Sequence, residues 1–323
     1  MRRFLLLILL LPLPLASQVK ILMPVVVKDA AGKPITDLKV SDFQVSGPKN
    51  ASIERMWQVP SATVSTNDPR TPVVVLYDVA NGRWARPSWK FLEQIAQDRS
   101  SVSILVNTTD GLRTIYDSAT PPEVLSAALM LVKDPKATTN DPKIEQQAQR
   151  LRLLDNLDQN HTFRYDPGLN QMNSLIEVAH LLQSPDHRKP LLWFSMAEQF
   201  GSQRCELMAE QLNAAHVSVY PAAGPQAIFS DSSIVSNFVV LSESTGGLTF
   251  SSVHQFRNTT LFSSEWDALQ KVLADFGPYY MLAIQAPTPK ATDWIPVKIT
   301  VDRPGLKIRG APGFLGFKPD KKR

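Results

Sequence analysis

The sequence predicts an α/β fold with a doubly wound, mostly parallel sheet and helices on both of its faces. The first indication is the alternation, between Thr71 and Phe276, of short apolar runs with amphipathic helical patterns. This rhythm is typical of parallel strands joined by crossover helices. The apolar runs are also rich in β-branched residues, as expected of strands buried on both faces. Short alternating patterns at both ends of the chain predict, in addition, a small β module formed by N- and C-terminal segments.

The stretch Thr71–Asn81, TPVVVLYDVAN, opens the α/β region. Its apolar run, Val73–Tyr77, is the candidate central strand, and Asp78 stands where the run ends. Open α/β sheets bind their ligands beyond the carboxyl ends of the strands. Asp78 is therefore the first candidate for a functional side chain.

The rest of the α/β region follows the same rhythm. Apolar runs predict strands at Ser101–Asn107, Gly111–Tyr116, Lys189–Ser195, Val217–Tyr220 and Leu248–Ser251. Apolar stripes at helical spacing predict helices at Ser88–Asp98, Pro121–Val132, Met172–Leu182, Ser202–Ala215, Asp231–Ser244 and Ser264–Phe276. The polar segment 133–160 interrupts this order, and its helical middle, Ile144–Leu157, indicates an insertion with a solvated face.

These patterns divide the chain into successive segments. The predicted order is a signal peptide at 1–17, an N-terminal β segment at 18–60, a linker at 61–70, the α/β domain at 71–277 with a helical insertion at 133–160, a C-terminal β segment at 278–317 and a basic tail at 318–323. We expect the two β segments to pack together, with the α/β domain inserted between them. Pro304-Gly305 marks a tight turn and predicts a hairpin between strands at Ile295–Asp302 and Leu306–Arg309.

The N-terminus indicates export. Arg2 and Arg3 precede the short apolar run Phe4–Leu11, and small residues follow up to Ser17. This is the arrangement of a secretory signal peptide, and we expect cleavage near Ser17 or Gln18. No later stretch reaches the length of a membrane span, so the expected location is periplasmic or extracellular.

Composition and motifs argue against several function classes. The net charge is only +4, and the Lys and Arg are scattered apart from the tail, so nucleic-acid binding is not indicated. The five histidines form no HExxH motif, and no Cys/His cluster predicts zinc. The motifs GxSxG, GxGxxG and GxxxxGK[ST] are absent. Ser195 nevertheless ends a predicted buried strand, so a hydrolase that uses Asp78, Glu198 and Ser195 stays open as an alternative.

Seven stretches, in order, resemble the VWFA-related proteins of the acidobacterial type, in which a von Willebrand factor A-like domain is flanked by β segments. They are Val25–Val45, Val73–Asn81, Arg188–Ser195, Val217–Gln226, Ser244–Phe250, Tyr279–Pro287 and Val297–Phe314. Together they extend over nearly the whole chain after the signal peptide. The resemblance implies a Rossmann-like, von Willebrand factor A-like sheet.

The resemblance also implies a metal-ion-dependent adhesion site, in which Asp-x-Ser-x-Ser follows the first strand. A Thr from a later loop and an Asp after a later strand complete the ligands of that site. Asp78 matches the first position, but Ala80 and Gly82 replace both serines and offer no side-chain oxygen, and Glu198 is displaced from the later acidic position. Candidates for the loop Thr are Thr162, Asn170 and Asn173. We therefore expect a degenerate site with no cofactor and no divalent cation such as Mg²⁺.

The sequence thus predicts an exported, non-enzymatic, adhesion-like module for protein–protein interaction. The expected partner is another protein or an envelope macromolecule, bound by the loops at the carboxyl ends of the strands. The predicted rim residues are Asp78, Asn81, Arg83, Trp84 and Glu198. Exposed Trp and Arg side chains at the rim of a strand end are typical of interface anchors. A second alternative, besides the hydrolase, is a structural scaffold within the envelope.

Overall fold

The computed structural model describes residues 18–60, 73–78, 86–99, 101–108, 110–134, 136–156, 167–182, 187–195, 202–223, 232–252, 259–287 and 294–315. The predicted signal peptide, linker and basic tail lie outside the described residues.

Strands and helices alternate through the middle of the chain. The described strands are β1 (Gln18–Lys28), β2 (Phe43–Ser46), β3 (Ser52–Val59), β4 (Val73–Asp78), β5 (Val102–Thr108), β6 (Gly111–Tyr116), β7 (Lys189–Ser195), β8 (Val217–Ala223), β9 (Phe250–Ser251), β10 (Thr260–Leu261), β11 (Tyr279–Pro287), β12 (Trp294–Pro296), β13 (Lys298–Val301), β14 (Lys307–Gly310) and β15 (Gly313–Leu315). The described α-helices are α1 (Trp89–Asp98), α2 (Pro122–Lys133), α3 (Pro142–Asn156), α4 (Pro167–Leu181), α5 (Ser202–Ala214), α6 (Ser232–Thr245) and α7 (Glu265–Asp275).

The main sheet has seven described strands in the order β10-β9-β8-β7-β4-β5-β6. All neighbouring strands are parallel except β5 and β6, which pair antiparallel across a short turn. The chain starts in the middle, at β4, and winds first toward β6 and then toward β10. The predicted α/β class, with a doubly wound and mostly parallel sheet, is confirmed.

Helices cover both faces of this sheet. On β4, Val73, Val75 and Tyr77 enter one apolar cluster, which includes residues of α1, α2, α3 and α7. Val74 and Leu76 enter the opposite cluster, which includes residues of α4, α5 and α6. The β4 strand is buried along its whole length because side chains of successive residues point to opposite faces and both faces are covered.

The helix α3 has an exposed face, as predicted, but its opposite face is buried. Ala148 and Leu151 are fully buried, and Leu154 is almost so, all within the core cluster on one face of the main sheet. The buried amide of Gln147 donates a 2.7 Å hydrogen bond from Nε2 to the carbonyl oxygen of Ile115. The segment is therefore part of the core, although its overall composition is polar.

A second, antiparallel sheet has the strand order β14-β1-β11-β3. Val25 of β1 pairs with Tyr280 on one side and with Gly310 on the other. Two further pairs, β2 with β13 and β12 with β15, complete the β module. Residues from both ends of the chain thus share one apolar cluster around Met23, Val25 and Leu282.

The predicted C-terminal hairpin does not form, because β13 pairs with β2 and β14 pairs with β1. Gly305 has a φ of +79°, so the expected turn is present. Ile299 and Ile308 nevertheless pack in the same apolar cluster. β13 and β14 therefore belong to different ladders around a shared core. Burial of their apolar side chains in that core outweighs the hydrogen bonds of a hairpin between them.

The β module and the main sheet meet at Arg188, which directly precedes β7 and is only 2% exposed. Its backbone N–H donates to the hydroxyl of Tyr279 at 2.9 Å. Its guanidinium donates at 2.7 Å to Ser218 Oγ, to Tyr220 Oη and to the carbonyl oxygen of Gly246. The Arg188 side chain thus links the start of β7 to β8 and to the turn after α6, and its backbone N–H links β7 to β11.

A buried carboxylate continues this network. Tyr220 Oη donates to Asp275 Oδ2 at 2.8 Å, and Lys28 Nζ contacts Asp275 Oδ1 at 2.7 Å. Arg309 Nη2 pairs with the same Oδ1. Burial raises the pKa of Asp275, but the positive charges of Arg309 and Arg188 outweigh it and hold that pKa below its ordinary value.

Candidate functional site

Three polar side chains meet at the carboxyl ends of neighbouring strands in the main sheet. Asp78 ends β4, Ser195 ends β7, and Asn107 lies opposite Asp78 near the end of β5. Ser195 Oγ donates to Asp78 Oδ2 at 2.9 Å, and Asn107 Nδ2 donates to Asp78 Oδ1 at 3.0 Å. Parallel strands that end together bring these residues into contact, although they are far apart in the sequence.

The helix α4 supplies two more side chains from its first turns. Gln171 Nε2 donates to Ser195 Oγ at 2.9 Å, and Asn107 Nδ2 also donates to Asn170 Oδ1. Gln171 is 1% exposed. The five residues form a continuous network of hydrogen bonds between the sheet and α4, which we call the Asp78 network.

Four of the five residues of the Asp78 network are buried, and Asn170 is half-buried. Asp78 is 1% exposed and Ser195 is 4% exposed. Each oxygen of the Asp78 carboxylate accepts a hydrogen bond from within the protein. Asn107 Oδ1 is buried and has no hydrogen-bond partner among the described residues. The Asn107 amide is oriented with Nδ2 toward Asp78 Oδ1 and Asn170 Oδ1, because both of these oxygens are hydrogen-bond acceptors.

A second network lies on the opposite face of β4 at the same end. Tyr77 Oη donates to Glu265 Oε1 at 2.8 Å, and the backbone N–H of Ser88 donates to the same oxygen at 3.1 Å. Ser88 is also the N-cap of α1, where its Oγ accepts from Phe91 N. Burial, with the nearby Glu265 charge adding to it, raises the pKa of Tyr77. Glu265 therefore ties the starts of α1 and α7 to the end of β4.

The structure brings together part of the predicted site. Asp78 and Ser195 are in contact, and Asn170 joins them, whereas Asn173 is exposed on α4. Four predicted rim residues and one loop candidate lie outside the described residues; they are Asn81, Arg83, Trp84, Glu198 and Thr162.

Sequence reasoning missed Asn107, Gln171 and Glu265. Asn107 was accessible to the rule that selected Asp78, because it also follows a buried apolar run near a strand end. Gln171 and Glu265 carried no comparable signal, because their contacts depend on how the helices pack.

In the described part of the chain, no group of three or more His, Cys, Asp or Glu residues is arranged to hold a metal ion. His180 is exposed on α4. None of the described helices combines enough length with enough apolar character to cross a membrane.

Comparison with known proteins gives similarity only at the level of structure. No family model matches the sequence. No curated protein matches it either. The crystal structure of the manganese-loaded Plasmodium vivax TRAP protein is 8% identical, with a TM-score of 0.32, and the match covers 79% of this chain and 96% of that one. The ArnB paralog VWA2 from Sulfolobus acidocaldarius is 10% identical, with a TM-score of 0.32, and the match covers 87% of this chain and 77% of that one. Similarity this low identifies no function, and the α/β class rests on the strand order itself.

Proposed function

We propose that this chain is an exported, non-enzymatic module that binds another protein or an envelope macromolecule through the loops at the carboxyl ends of its parallel strands. The observation that carries the proposal is the contact between Asp78 and Ser195 at 2.9 Å. The loops that hold Arg83 and Trp84, and the loop that holds Glu198, begin directly after these two residues. They therefore start from neighbouring points on a rigid sheet, which favours one joint binding surface.

The donor set around Asp78 does not fit a divalent cation. Magnesium and manganese favour near-octahedral sites built from several oxygens. Both Asp78 oxygens already accept hydrogen bonds, and Ser195 Oγ donates its proton to one of them. Asn107 Oδ1 is one more oxygen, but the positions of Ala80 and Gly82 add none from side chains. We therefore propose a degenerate adhesion site, in which Asp78 holds the strand end in place through hydrogen bonds and does not bind a metal ion.

The same contacts argue against the hydrolase that uses Asp78, Glu198 and Ser195. A serine nucleophile needs access to substrate and a base that takes its proton. Ser195 is 4% exposed, and its hydroxyl accepts from Gln171 while it donates to Asp78. This arrangement supports a structural role for the hydroxyl.

The binding surface is tested by replacing its candidate anchor. We expect Trp84→Ala to weaken binding to a partner captured from envelope extract by at least about tenfold, because interface tryptophans commonly contribute 2 kcal/mol or more. The matched control is Trp57→Ala, in β3 of the β module. Affinity is measured with the purified partner. Equal weakening by both variants, or no weakening by Trp84→Ala, contradicts binding through these loops.

The absence of a cation is tested by thermal unfolding with Mn²⁺, Mg²⁺ or Ca²⁺. A ligand that binds only the folded state raises the midpoint of unfolding. We expect these cations to change the unfolding midpoint of the wild type no more than they change that of Asp78→Asn. A saturable rise in the midpoint that disappears in Asp78→Asn contradicts the degenerate site. The non-enzymatic role is contradicted if the protein cleaves ester substrates and this activity requires Ser195.

A further inference from the structure

A cavity of about 430 Å³ lies between the β module and the amino-terminal edge of the main sheet. One wall is the first half of β1, Val19–Pro24, and another is the chain from Gly310 to Phe314. The start of β8 and the end of α5 close the opposite side. Its volume falls within the range of small-molecule pockets.

The walls of this cavity combine apolar side chains with positive charge. Its apolar lining includes Ile21, Leu22, Met23, Val217, Ala311 and Phe314. The positive charge comes from Arg188 and Arg309, since Lys20, which also lines the cavity, makes an ion pair with Glu54. None of the described lining residues is acidic. A ligand with an apolar body and a negative group matches this composition.

The arginines belong to a buried cluster in which positive charge is in excess. Lys28, Arg188 and Arg309 surround one carboxylate, Asp275, in the described network. Arg188 is 2% exposed and the side chain of Arg309 is 24% exposed. Buried charges are normally paired, because an uncompensated charge loses its hydration. The cluster therefore favours an additional anion.

Two guanidinium nitrogens of this cluster lack a hydrogen-bond acceptor. Nη1 of Arg188 and Nη1 of Arg309 are buried and have no hydrogen-bond partner in the part of the chain that the structure describes. Buried donors of this kind are rare in folded proteins, and a bound ligand is one explanation for them. Guanidinium groups bind carboxylates especially well, since two parallel N–H groups match the two oxygens.

We propose that this cavity binds a small amphipathic carboxylate, with its carboxylate held by Arg309 beside Arg188 and its apolar body packed against β1 and Phe314. The site is separate from the Asp78 network, because Arg188 precedes β7 and Ser195 ends it. Seven residues of strand correspond to a separation of about 20 Å. The proposal is thus independent of the partner-binding surface proposed above.

The test measures binding of octanoate to the purified protein by titration calorimetry, with 1-octanol and inorganic phosphate as comparison ligands. We expect octanoate to bind at least about tenfold more tightly than either, because only octanoate offers both the charge and the apolar chain. Arg309→Gln removes the partly exposed arginine, and we expect it to weaken octanoate binding at least about tenfold. The matched control is Arg303→Gln, a surface arginine of the same β module that pairs with Asp37.

A second variant separates loss of the site from loss of folding. Ala311→Phe leaves every charge in place and fills part of the cavity, so we expect it also to weaken octanoate binding while thermal unfolding stays cooperative. The proposal is overturned if octanoate does not bind, if 1-octanol or phosphate binds equally well, or if neither Arg309→Gln nor Ala311→Phe weakens binding more than Arg303→Gln does.

Discussion

Arg188→Met tests whether one buried side chain stabilises the amino-terminal end of the main sheet, where it lies beside the β module. The substitution removes three hydrogen bonds from a charged donor, to Ser218, Tyr220 and Gly246. Tyr220 keeps its bond to Asp275, but the Gly246 carbonyl oxygen loses the guanidinium donor. Hydrogen bonds from a charged group contribute about 1.5–3 kcal/mol each. Met also relieves the desolvation cost of the buried charge, which offsets part of that loss, so the net cost is about 3–5 kcal/mol. Methionine recovers part of the packing against Phe276, whose ring centre is 5.0 Å from the guanidinium carbon.

The measurement is urea unfolding followed by tryptophan fluorescence and by circular dichroism. We expect the free energy of unfolding to fall by about 3–5 kcal/mol if the two transitions coincide, as a two-state analysis requires. Arg152→Met on α3 is the control, because that side chain is 45% exposed and makes an ion pair with Glu145. Its effect is expected to stay below about 1 kcal/mol. A loss below about 1 kcal/mol for Arg188→Met refutes the idea that Arg188 is a structural link.

Two further predictions concern the core and the buried carboxylate. Leu151→Ala is expected to lower the free energy of unfolding by about 2–5 kcal/mol, because Leu151 is fully buried on α3. The neighbouring Leu153 is 44% exposed, and Leu153→Ala is expected to change the free energy of unfolding by less than about 0.5 kcal/mol. Equal losses for Leu151→Ala and Leu153→Ala in urea unfolding contradict a core position for Leu151. The pKa of Asp275 is lowered on folding, so its charge stabilises the fold above the unfolded pKa of about 4, and that contribution is lost as pH falls through the folded pKa. The stability advantage of the wild type over Asp275→Asn is therefore expected to shrink below about pH 4, and an advantage that does not change with pH contradicts this linkage.

The sequence predicted the main sheet well because its signals are local. Val73–Tyr77 is a continuous apolar run, and Lys189–Ser195 contains one between its polar ends. Each forms a buried strand at nearly the predicted bounds. The partners of β13 and β14 could not be predicted in the same way. A turn at Gly305 is compatible with a hairpin between the two strands, and equally with strands that pair in different ladders. The polarity of α3 hid its buried face, since three buried apolar residues suffice to pack a mostly polar helix against the core.

For the candidate site, the sequence indicated a strand end but not its partners. Asp78 and Ser195 were each identifiable as residues that end apolar runs. Their direct contact follows from the register of β4 and β7, in which Tyr77 lies beside Phe194. Gln171 completes the network from α4, and the position of a helix on a sheet depends on packing that no short motif encodes.

The two ends of the main sheet differ in how their buried charges are compensated, and this difference indicates where a small ligand binds. At the carboxyl end, each oxygen of Asp78 accepts a hydrogen bond from a neutral donor, so the buried carboxylate is stabilised by groups of the protein itself. At the amino end, guanidinium groups outnumber carboxylates, and two of their nitrogens have no described acceptor. A buried donor without an acceptor costs free energy, whereas the Asp78 oxygens already have donors. A small ligand that supplies an acceptor is therefore favoured beside Arg188 and Arg309. The proposed partner binding at the carboxyl end is therefore assigned to the segments that follow Asp78 and Ser195 in the sequence, because Asp78 itself is buried.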